Sequence, residues 1–272
     1  MLEFVSVMGP ALVACLLLTG IFVYFGLHIV RRGVIFVDLA LAQVAALGTT
    51  VAFLLGYPLE GPGAYIFSLL FAFLGSVIFA LVRAKEERVP QEAIIGIVYA
   101  VAAAATILMV DRAPHGAEHI KFLLVGNILW VSWNAIGRLF LVISVVACFH
   151  FLFRRNFSLV SFDPEGAKKM GVSIPVWDLF FYLSLAWIVT TSVQTAGVLL
   201  VFSFLIVPAA CGLLLARNTQ GNLFVGWLVG AGVTLVGGFL SYRWDLPTGA
   251  AIICTFGVTL FLISLVKKIV AN

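Results

Sequence analysis

The longest apolar stretch of this chain covers residues 176–216 and reads VWDLFFYLSLAWIVTTSVQTAGVLLVFSFLIVPAACGLLLA. It contains one acidic and no basic side chain, and residues 194–197, QTAG, divide it into two nearly equal parts. A helix of about 20 apolar residues is long enough to span a bilayer. The stretch therefore predicts two membrane-spanning helices that are joined by a tight outer turn.

The remainder of the chain follows the same apolar pattern. Hydrophobic residues make up 63% of the sequence and charged residues 10%, which excludes a soluble globular protein. The apolar runs are continuous rather than alternating, which excludes a membrane β-barrel. We therefore predict an all-α, polytopic membrane protein with about nine transmembrane helices in a single domain over residues 1–272. The predicted spans are residues 8–30, 36–56, 64–82, 92–110, 135–153, 176–195, 197–216, 222–242 and 248–267.

The number and the orientation of the spans rest on two further observations. Residues 120–130 are apolar but too short to cross, so we predict a re-entrant or interfacial segment and leave about eight to ten spans open. If the N-terminus lies outside and the C-terminus in the cytoplasm, most of the 16 lysines and arginines fall in cytoplasmic loops or helix ends. Basic residues concentrate on that side of membrane proteins, and this orientation is therefore predicted.

A short polar segment, residues 161–171 (SFDPEGAKKMG), separates two predicted spans. Asp163 is a good N-cap, Pro164 suits the first helical position, and Gly171 suits a left-handed helix end. These residues predict a capped cytoplasmic helix of about two turns. Such a helix indicates a docking site for a partner, and an ATP-hydrolysing protein is the best candidate. The residues predicted to form the ATPase-coupling element, within a cytoplasmic loop at about 154–175, are Asp163, Pro164, Glu165, Gly166, Ala167, Lys168, Lys169, Met170 and Gly171.

Asp38 is the only carboxylate that we place well inside a predicted span. A carboxylate within a membrane needs a cation, water or a protein partner, and it is therefore a functional-site hypothesis. Small residues follow it up to residue 50, which indicates close helix packing or an open pathway. Gln43 is a weaker candidate to act with Asp38 in a metal pathway. The alternative is that Asp38 lies at the inner interface and pairs with Arg31 or Arg32.

The predicted outer loop at residues 111–119, DRAPHGAEH, contains His115, Glu118 and His119. Imidazole and carboxylate groups are suitable ligands for zinc, manganese or iron. These three residues are candidates for collecting metal at an outer mouth, and the alternative is an ordinary solvated loop. His28 and His150, near inner span ends, are predicted to be packing residues, and the four cysteines in apolar runs are predicted to be buried.

Four segments of the chain resemble the metal-type ABC permeases, the membrane subunits of bacterial zinc, manganese and iron importers. They are the Arg31–Arg32 pair followed by Asp38, and residues 126–132 (GNILWVS), 196–210 (AGVLLVFSFLIVPAA) and 245–250 (DLPTGA). The resemblance implies a homodimeric permease in a bacterial or archaeal cytoplasmic membrane. It also implies a cytoplasmic ABC ATPase dimer and an extracytoplasmic solute-binding protein, and it makes residues 161–171 similar to the loop that contacts the ATPase.

The resemblance also implies the transported substrate and the division of work between this chain and its partners. We expect a non-catalytic permease that carries a divalent transition metal into the cytoplasm as substrate, while a separate chain hydrolyses ATP, since this chain has no phosphate-binding loop. We expect surrounding lipid, no cofactor bound by the chain and no nucleic-acid partner.

The chain departs from the family at one position. Metal-carrying members usually have a histidine one helical turn after the aspartate, where this chain has Ala42. The missing histidine therefore leaves open an ABC permease for a metal chelate or small organic cofactor. A separate alternative from another class is an ion-coupled secondary transporter, which would need several embedded carboxylates.

Overall fold

The computed structural model describes residues 2–59, 61–85, 89–111 and 128–271, and every regular element in those ranges is helical. The helices are α1 (Leu2–Arg32), α2 (Val37–Leu54), α3 (Pro62–Lys85), α4 (Gln91–Val110), α5 (Trp133–Leu152), α6 (Arg154–Phe162), α7 (Pro164–Lys169), α8 (Ile174–Ala196), α9 (Val198–Leu215), α10 (Thr219–Trp244) and α11 (Thr248–Ala271). A 3-10 turn, Ile128–Trp130, precedes α5. The predicted all-α fold is confirmed.

Nine helices of the described ranges are long and apolar enough to cross a membrane, namely all except α6 and α7. The long apolar run is divided as predicted, because α8 ends at Ala196 and Gly197, with a φ of 80°, is the N-cap of α9. Of the segment predicted to be re-entrant, only the 3-10 turn Ile128–Trp130 lies within the described residues.

Helix α6 lies in the segment predicted as a loop. Its buried residues are Phe157, Val160 and Ser161, whereas Arg154 and Arg155 are exposed. An amphipathic helix of 9 residues has an apolar face but no apolar run, so hydropathy alone does not reveal it.

The chain divides into two compact units, of which the first comprises Met1–Val30, Leu124–Ile143 and Gln194–Asn272. Helices α9, α10 and α11 pack against one another in this unit. Gly212 permits the close approach of α9 to α10, because a Cβ there would collide with the Asn222 carbonyl oxygen. Among the described residues of this unit, no Asp, Glu, Lys or Arg is buried, and its buried polar side chains are uncharged hydroxyl, amide and imidazole groups.

The second unit comprises Arg31–Leu123 and Ser144–Val193. Helix α2 packs against both α3 and α4. A Cβ on Gly48 of α2 would lie 2.5 Å from the Phe67 carbonyl oxygen of α3. The small residues that follow Asp38 therefore serve close helix packing, which was one of the two predicted roles.

Hydrogen bonds between buried polar groups join α3, α4 and α8 in the second unit. The Gln91 side-chain amide donates to the Phe79 carbonyl oxygen at 3.0 Å and to the Tyr182 hydroxyl at 3.1 Å. The Ser76 hydroxyl donates to the Tyr182 carbonyl oxygen at 3.0 Å. Because Gln91 is the first residue of α4, these bonds hold the end of α4 that carries Glu92.

The cysteines follow the sequence prediction only in part. Cys15 and Cys211 are buried, whereas Cys148 and Cys254 are exposed, and the prediction is wrong for the second pair. An apolar helix in a membrane can turn an apolar side chain outward to lipid, so apolar surroundings in the sequence do not establish burial.

Candidate functional site

Helix α7 has the caps that its sequence predicts. The Asp163 carboxylate accepts a hydrogen bond from the Gly166 backbone N–H at 2.9 Å, and Pro164 is the first helical residue. At the other end, the Val172 N–H donates to the Ala167 carbonyl oxygen at 2.9 Å, and Gly171 has a φ of 72°. This is the glycine-terminated helix end that closes a helix with its own backbone groups, and the predicted short capped helix is confirmed.

The side chains of α7 divide into an anchored and an open face. Ala167 is fully buried, whereas Glu165, Lys168 and Lys169 are exposed, and 55% of Met170 is exposed. A flexible methionine beside charged residues is suited to contact with another protein surface.

Asp38 lies in the first turn of α2 and is 1% exposed. A second carboxylate approaches the same turn, because Oε1 of Glu92 accepts a hydrogen bond from the Phe36 N–H at 3.0 Å. Phe36 is the N-cap of α2, and its own side chain offers no cap. Glu92, from the first turn of α4, therefore supplies the cap from another helix.

This acidic pair, Asp38 and Glu92, is polar and partly unsatisfied. Oδ1 of Asp38 and Oε2 of Glu92 are buried and accept no hydrogen bond from any residue in the described ranges. Asp38 is buried and Glu92 is half-buried. The start of a helix favours negative charge, but a buried carboxylate with a second carboxylate nearby needs a cation or a proton as compensation.

The expectation that Asp38 is the only embedded carboxylate, deep in its span, is wrong. It lies one residue after the start of α2, and Asp178, near the start of α8, is equally buried at 1% exposure. Asp178 forms an ion pair with Arg32, with 2.6 Å between Nη1 and Oδ1, and Arg31 is exposed. Neither of the arginines proposed as alternative partners therefore pairs with Asp38.

Sequence reasoning missed both Glu92 and Asp178. Asp178 is the single acidic residue in residues 176–216, and an acid in such a run requires a cation, which could have directed attention to Arg32. Glu92 comes two residues after Pro90 and precedes an apolar run, so it looks like an ordinary first-turn acid. Its approach to α2 depends on helix packing and leaves no mark in the local sequence.

The other predicted metal ligands are not brought to Asp38 by the described structure. Gln43 is half-buried on α2, and a separation of five residues places it about 140° round the helix and about 7.5 Å along it from Asp38. His115, Glu118 and His119 lie outside the described residues. Within the described ranges, no group of three or more His, Cys, Asp or Glu residues is placed to hold a metal ion.

His28 and His150 are packing residues, as predicted. His28 is 3% exposed and contacts Tyr24, with 4.6 Å between the ring centroids. His150 is also 3% exposed, its Nε2 lies 2.7 Å from the Ser184 hydroxyl, and its ring stacks on Phe157 at 3.9 Å. Burial and a ring contact account for His28, and for His150 the contact with Ser184 is added to burial and ring stacking.

Comparison with known proteins covers nearly the whole chain. The model of a family described as the ABC 3 transport family matches residues 4–268. The manganese import system permease protein ScaB of Streptococcus gordonii is 27% identical over 245 residues, which are 88% of this chain and 83% of that protein. A probable iron transport system membrane protein of Haemophilus influenzae is 28% identical over 90% of this chain and 88% of its own length. The structure of PsaBC from Streptococcus pneumoniae in complex with Fab has a TM-score of 0.80 at 22% identity, over 97% of this chain and 95% of that chain.

Proposed function

This chain belongs to the ABC 3 transport family, and we propose that it is the permease of an ATP-driven importer that carries a divalent transition metal into the cytoplasm. The resemblance to metal-type ABC permeases is confirmed, as is a multi-pass protein of the bacterial inner membrane. The cargo, the direction of transport and the source of energy are the proposed parts.

The acidic pair is the observation that carries the cargo assignment. Asp38 and Glu92 each present a buried oxygen without a hydrogen-bond partner in the described ranges, and a divalent cation would satisfy both. Carboxylate and water ligands suit manganese better than zinc or copper, which take imidazole and thiolate ligands. The manganese and iron systems named among the relatives agree with this preference. We therefore rank manganese first, iron second and zinc third.

The remaining predicted ligands keep secondary places in this proposal. Gln43 would act as a neutral ligand further along α2. His115, Glu118 and His119 would collect the ion at the outer mouth, with the N-terminus outside and the C-terminus in the cytoplasm. In this orientation α2, α4 and α8 all begin at the cytoplasmic side, and the acidic pair belongs to the inner part of the pathway.

We propose α7 as the docking helix for a cytoplasmic ABC ATPase. Its caps make the helix rigid on its own, its buried Ala167 attaches it to the permease, and its charged residues and Met170 face outward. ATP hydrolysis would take place on that partner, and the complex would include a second permease copy and an extracytoplasmic solute-binding protein.

The proposed function is tested by uptake of radioactive Mn²⁺ in cells with and without the chain. Deletion should lower the initial rate of uptake, excess Fe²⁺ should compete more strongly than Zn²⁺, and depletion of cellular ATP should stop transport. A plasmid-borne copy is the control for the deletion.

Three other outcomes would each contradict the proposal in a different way. Unchanged Mn²⁺ and Fe²⁺ uptake together with lost uptake of a chelated metal would identify a chelate permease. Transport that survives ATP depletion but stops when the proton gradient is collapsed would identify an ion-coupled transporter. Unchanged accumulation of all tested metals would exclude a transport role for metal.

A further inference from the structure

Arg32, the last residue of α1, joins two elements of the second unit through its side chain. Its Nη1 donates to Oδ1 of Asp178 at 2.6 Å, and its Nε donates to the Ser161 hydroxyl at 2.9 Å. The guanidinium also lies over the ring of Phe181, 3.8 Å from the centroid. The side chains of Arg32 and Asp178 are 0% and 1% exposed. A planar guanidinium can make these contacts at the same time, which a lysine ammonium cannot.

The two hydrogen-bond partners of Arg32, Ser161 and Asp178, lie on either side of the docking helix. Ser161 is in α6, two residues before Asp163, the N-cap of α7. Asp178 is in α8, seven residues after Gly171 ends α7. Arg32 therefore holds both flanks of the segment that we assign to the ATPase.

The chain that follows Arg32 leads directly to the acidic pair. Gly33, with a φ of 71°, reverses the backbone, and Val34 is buried and accepts a hydrogen bond from the Val37 N–H at 3.3 Å. Phe36, whose N–H is bound by Glu92, is the N-cap of α2. Only four residues separate Arg32 from α2. A displacement of Arg32 is therefore transmitted to α2, because the short connection has few rotatable bonds that could absorb it.

We infer that Arg32 is a positioning residue that couples the docking helix α7 to the Asp38–Glu92 pair. This inference rests on the proposed function. A movement of the docked α6–α7 segment shifts Ser161 and Asp178, the buried guanidinium follows them, and the start of α2 moves with it. Arg32 and Asp178 stay together during that movement, because separating these two buried charges would leave each of them without compensation.

The experiment measures whether nucleotide on the ATPase changes the affinity of the permease for Mn²⁺. The permease is purified together with its own ATPase pair, placed in lipid nanodiscs and titrated with Mn²⁺ with and without a non-hydrolysable ATP analogue. Because coupling between two sites is reciprocal, the wild-type affinity should change at least about fivefold. In Asp178→Asn and in Arg32→Lys this change should shrink toward onefold, while the ATPase still co-purifies with the permease.

Two further variants separate positioning from folding. Arg31→Gln removes the same charge from the exposed neighbouring residue and should keep the wild-type change in affinity. The double variant Arg32→Met with Asp178→Leu replaces a buried ion pair by apolar side chains, a change that often preserves stability. Its abundance and thermal stability in detergent should stay near wild type, whereas the nucleotide-dependent change in Mn²⁺ affinity should be lost.

The possible results distinguish this inference from the proposed function. A normal affinity change in the double apolar variant would show that Arg32 only stabilises the fold, and would overturn the inference. A wild-type complex that binds Mn²⁺ without any response to nucleotide would also overturn it while leaving the cargo assignment standing. A wild-type complex that binds no Mn²⁺ would contradict the proposed function itself.

Discussion

Helices α7 and α2 both begin beside acidic side chains, but they obtain their N-terminal caps in different ways. Asp163 caps α7 from the adjacent position in the chain, with a hydrogen bond from the Gly166 N–H, and it is exposed. Helix α2 has Phe36 as its N-cap, which offers no side-chain bond, and Glu92 of α4 supplies it. The acid of α2 itself, Asp38, is buried with one unsatisfied oxygen.

The two caps therefore depend on different levels of structure. The cap of α7 forms wherever residues 163–166 adopt a helical turn, so α7 can be rigid on a surface and serve as a docking element. The cap of α2 forms only when α4 packs beside it, and that packing brings the half-buried Glu92 to the turn that carries the buried Asp38. A carboxylate at an exposed helix N-terminus costs little free energy because water solvates it, whereas a carboxylate at a buried helix N-terminus needs a compensating partner.

The largest expected effect separates the buried acid from the exposed one. Asp38→Asn keeps the size of the side chain and removes its charge, so we expect the initial rate of Mn²⁺ uptake to fall at least about tenfold. The matched control is Asp163→Asn, which also removes a carboxylate charge but remains a good N-cap and should transport normally. The measurement is uptake divided by permease abundance in the membrane.

The Glu92→Gln substitution tests the contribution of the second carboxylate of the acidic pair to Mn²⁺ uptake. The glutamine oxygen can still accept the Phe36 N–H, so α2 stays capped while the second charge is lost. The initial rate of Mn²⁺ uptake should fall less in the Glu92→Gln variant than in the Asp38→Asn variant. Should Asp38→Asn transport Mn²⁺ at the wild-type rate, Asp38 is only an interface charge and the metal-pathway assignment fails.

An intermediate effect is expected at the C-terminal end of α7. A valine at Gly171, whose φ is 72°, would be strained by about 1–2 kcal/mol because its side chain crowds the backbone in the left-handed region. Gly171→Val should therefore leave abundance near normal while lowering both transport and substrate-stimulated ATP hydrolysis. Both activities are measured on the purified complex.

Gly171→Asn is the control for that substitution, because asparagine tolerates the left-handed conformation better than valine. It should retain most of the coupled activity. Equal activity of the valine and asparagine variants would mean that the shape of this helix end has no part in coupling.

The smallest expected effect is the loss of the local cap. Asp163→Ala removes the bond to the Gly166 N–H and should destabilise α7 by about 1 kcal/mol. Because Ala167 still anchors the helix, abundance should be unchanged and ATPase affinity only slightly reduced. Pull-down of the ATPase by the tagged permease, over a range of ATPase concentrations, measures this change. A complete loss of binding would show that Asp163 contacts the ATPase directly and is more than a cap.

Features encoded over a few neighbouring residues could be predicted. The apolar runs, the break at Gly197, the caps of α7 and the packing roles of His28 and His150 all agree with the structure. Hydropathy over about 20 residues and capping within one turn are local quantities. Both properties can therefore be predicted from the sequence of the segment concerned.

Features that depend on which helices meet could not be predicted in this way. Glu92 reaches α2 from 56 residues away, and Arg32 reaches Asp178 across 146 residues. Any of several charges in the chain could have compensated either acid, and helix packing selects one partner for each. From sequence alone, a polytopic helical membrane protein with a short capped helix could be derived, because apolar runs and helix caps are local properties. Only the tertiary structure decided where the buried charges lie and which of them are paired, because burial and pairing depend on packing between distant segments.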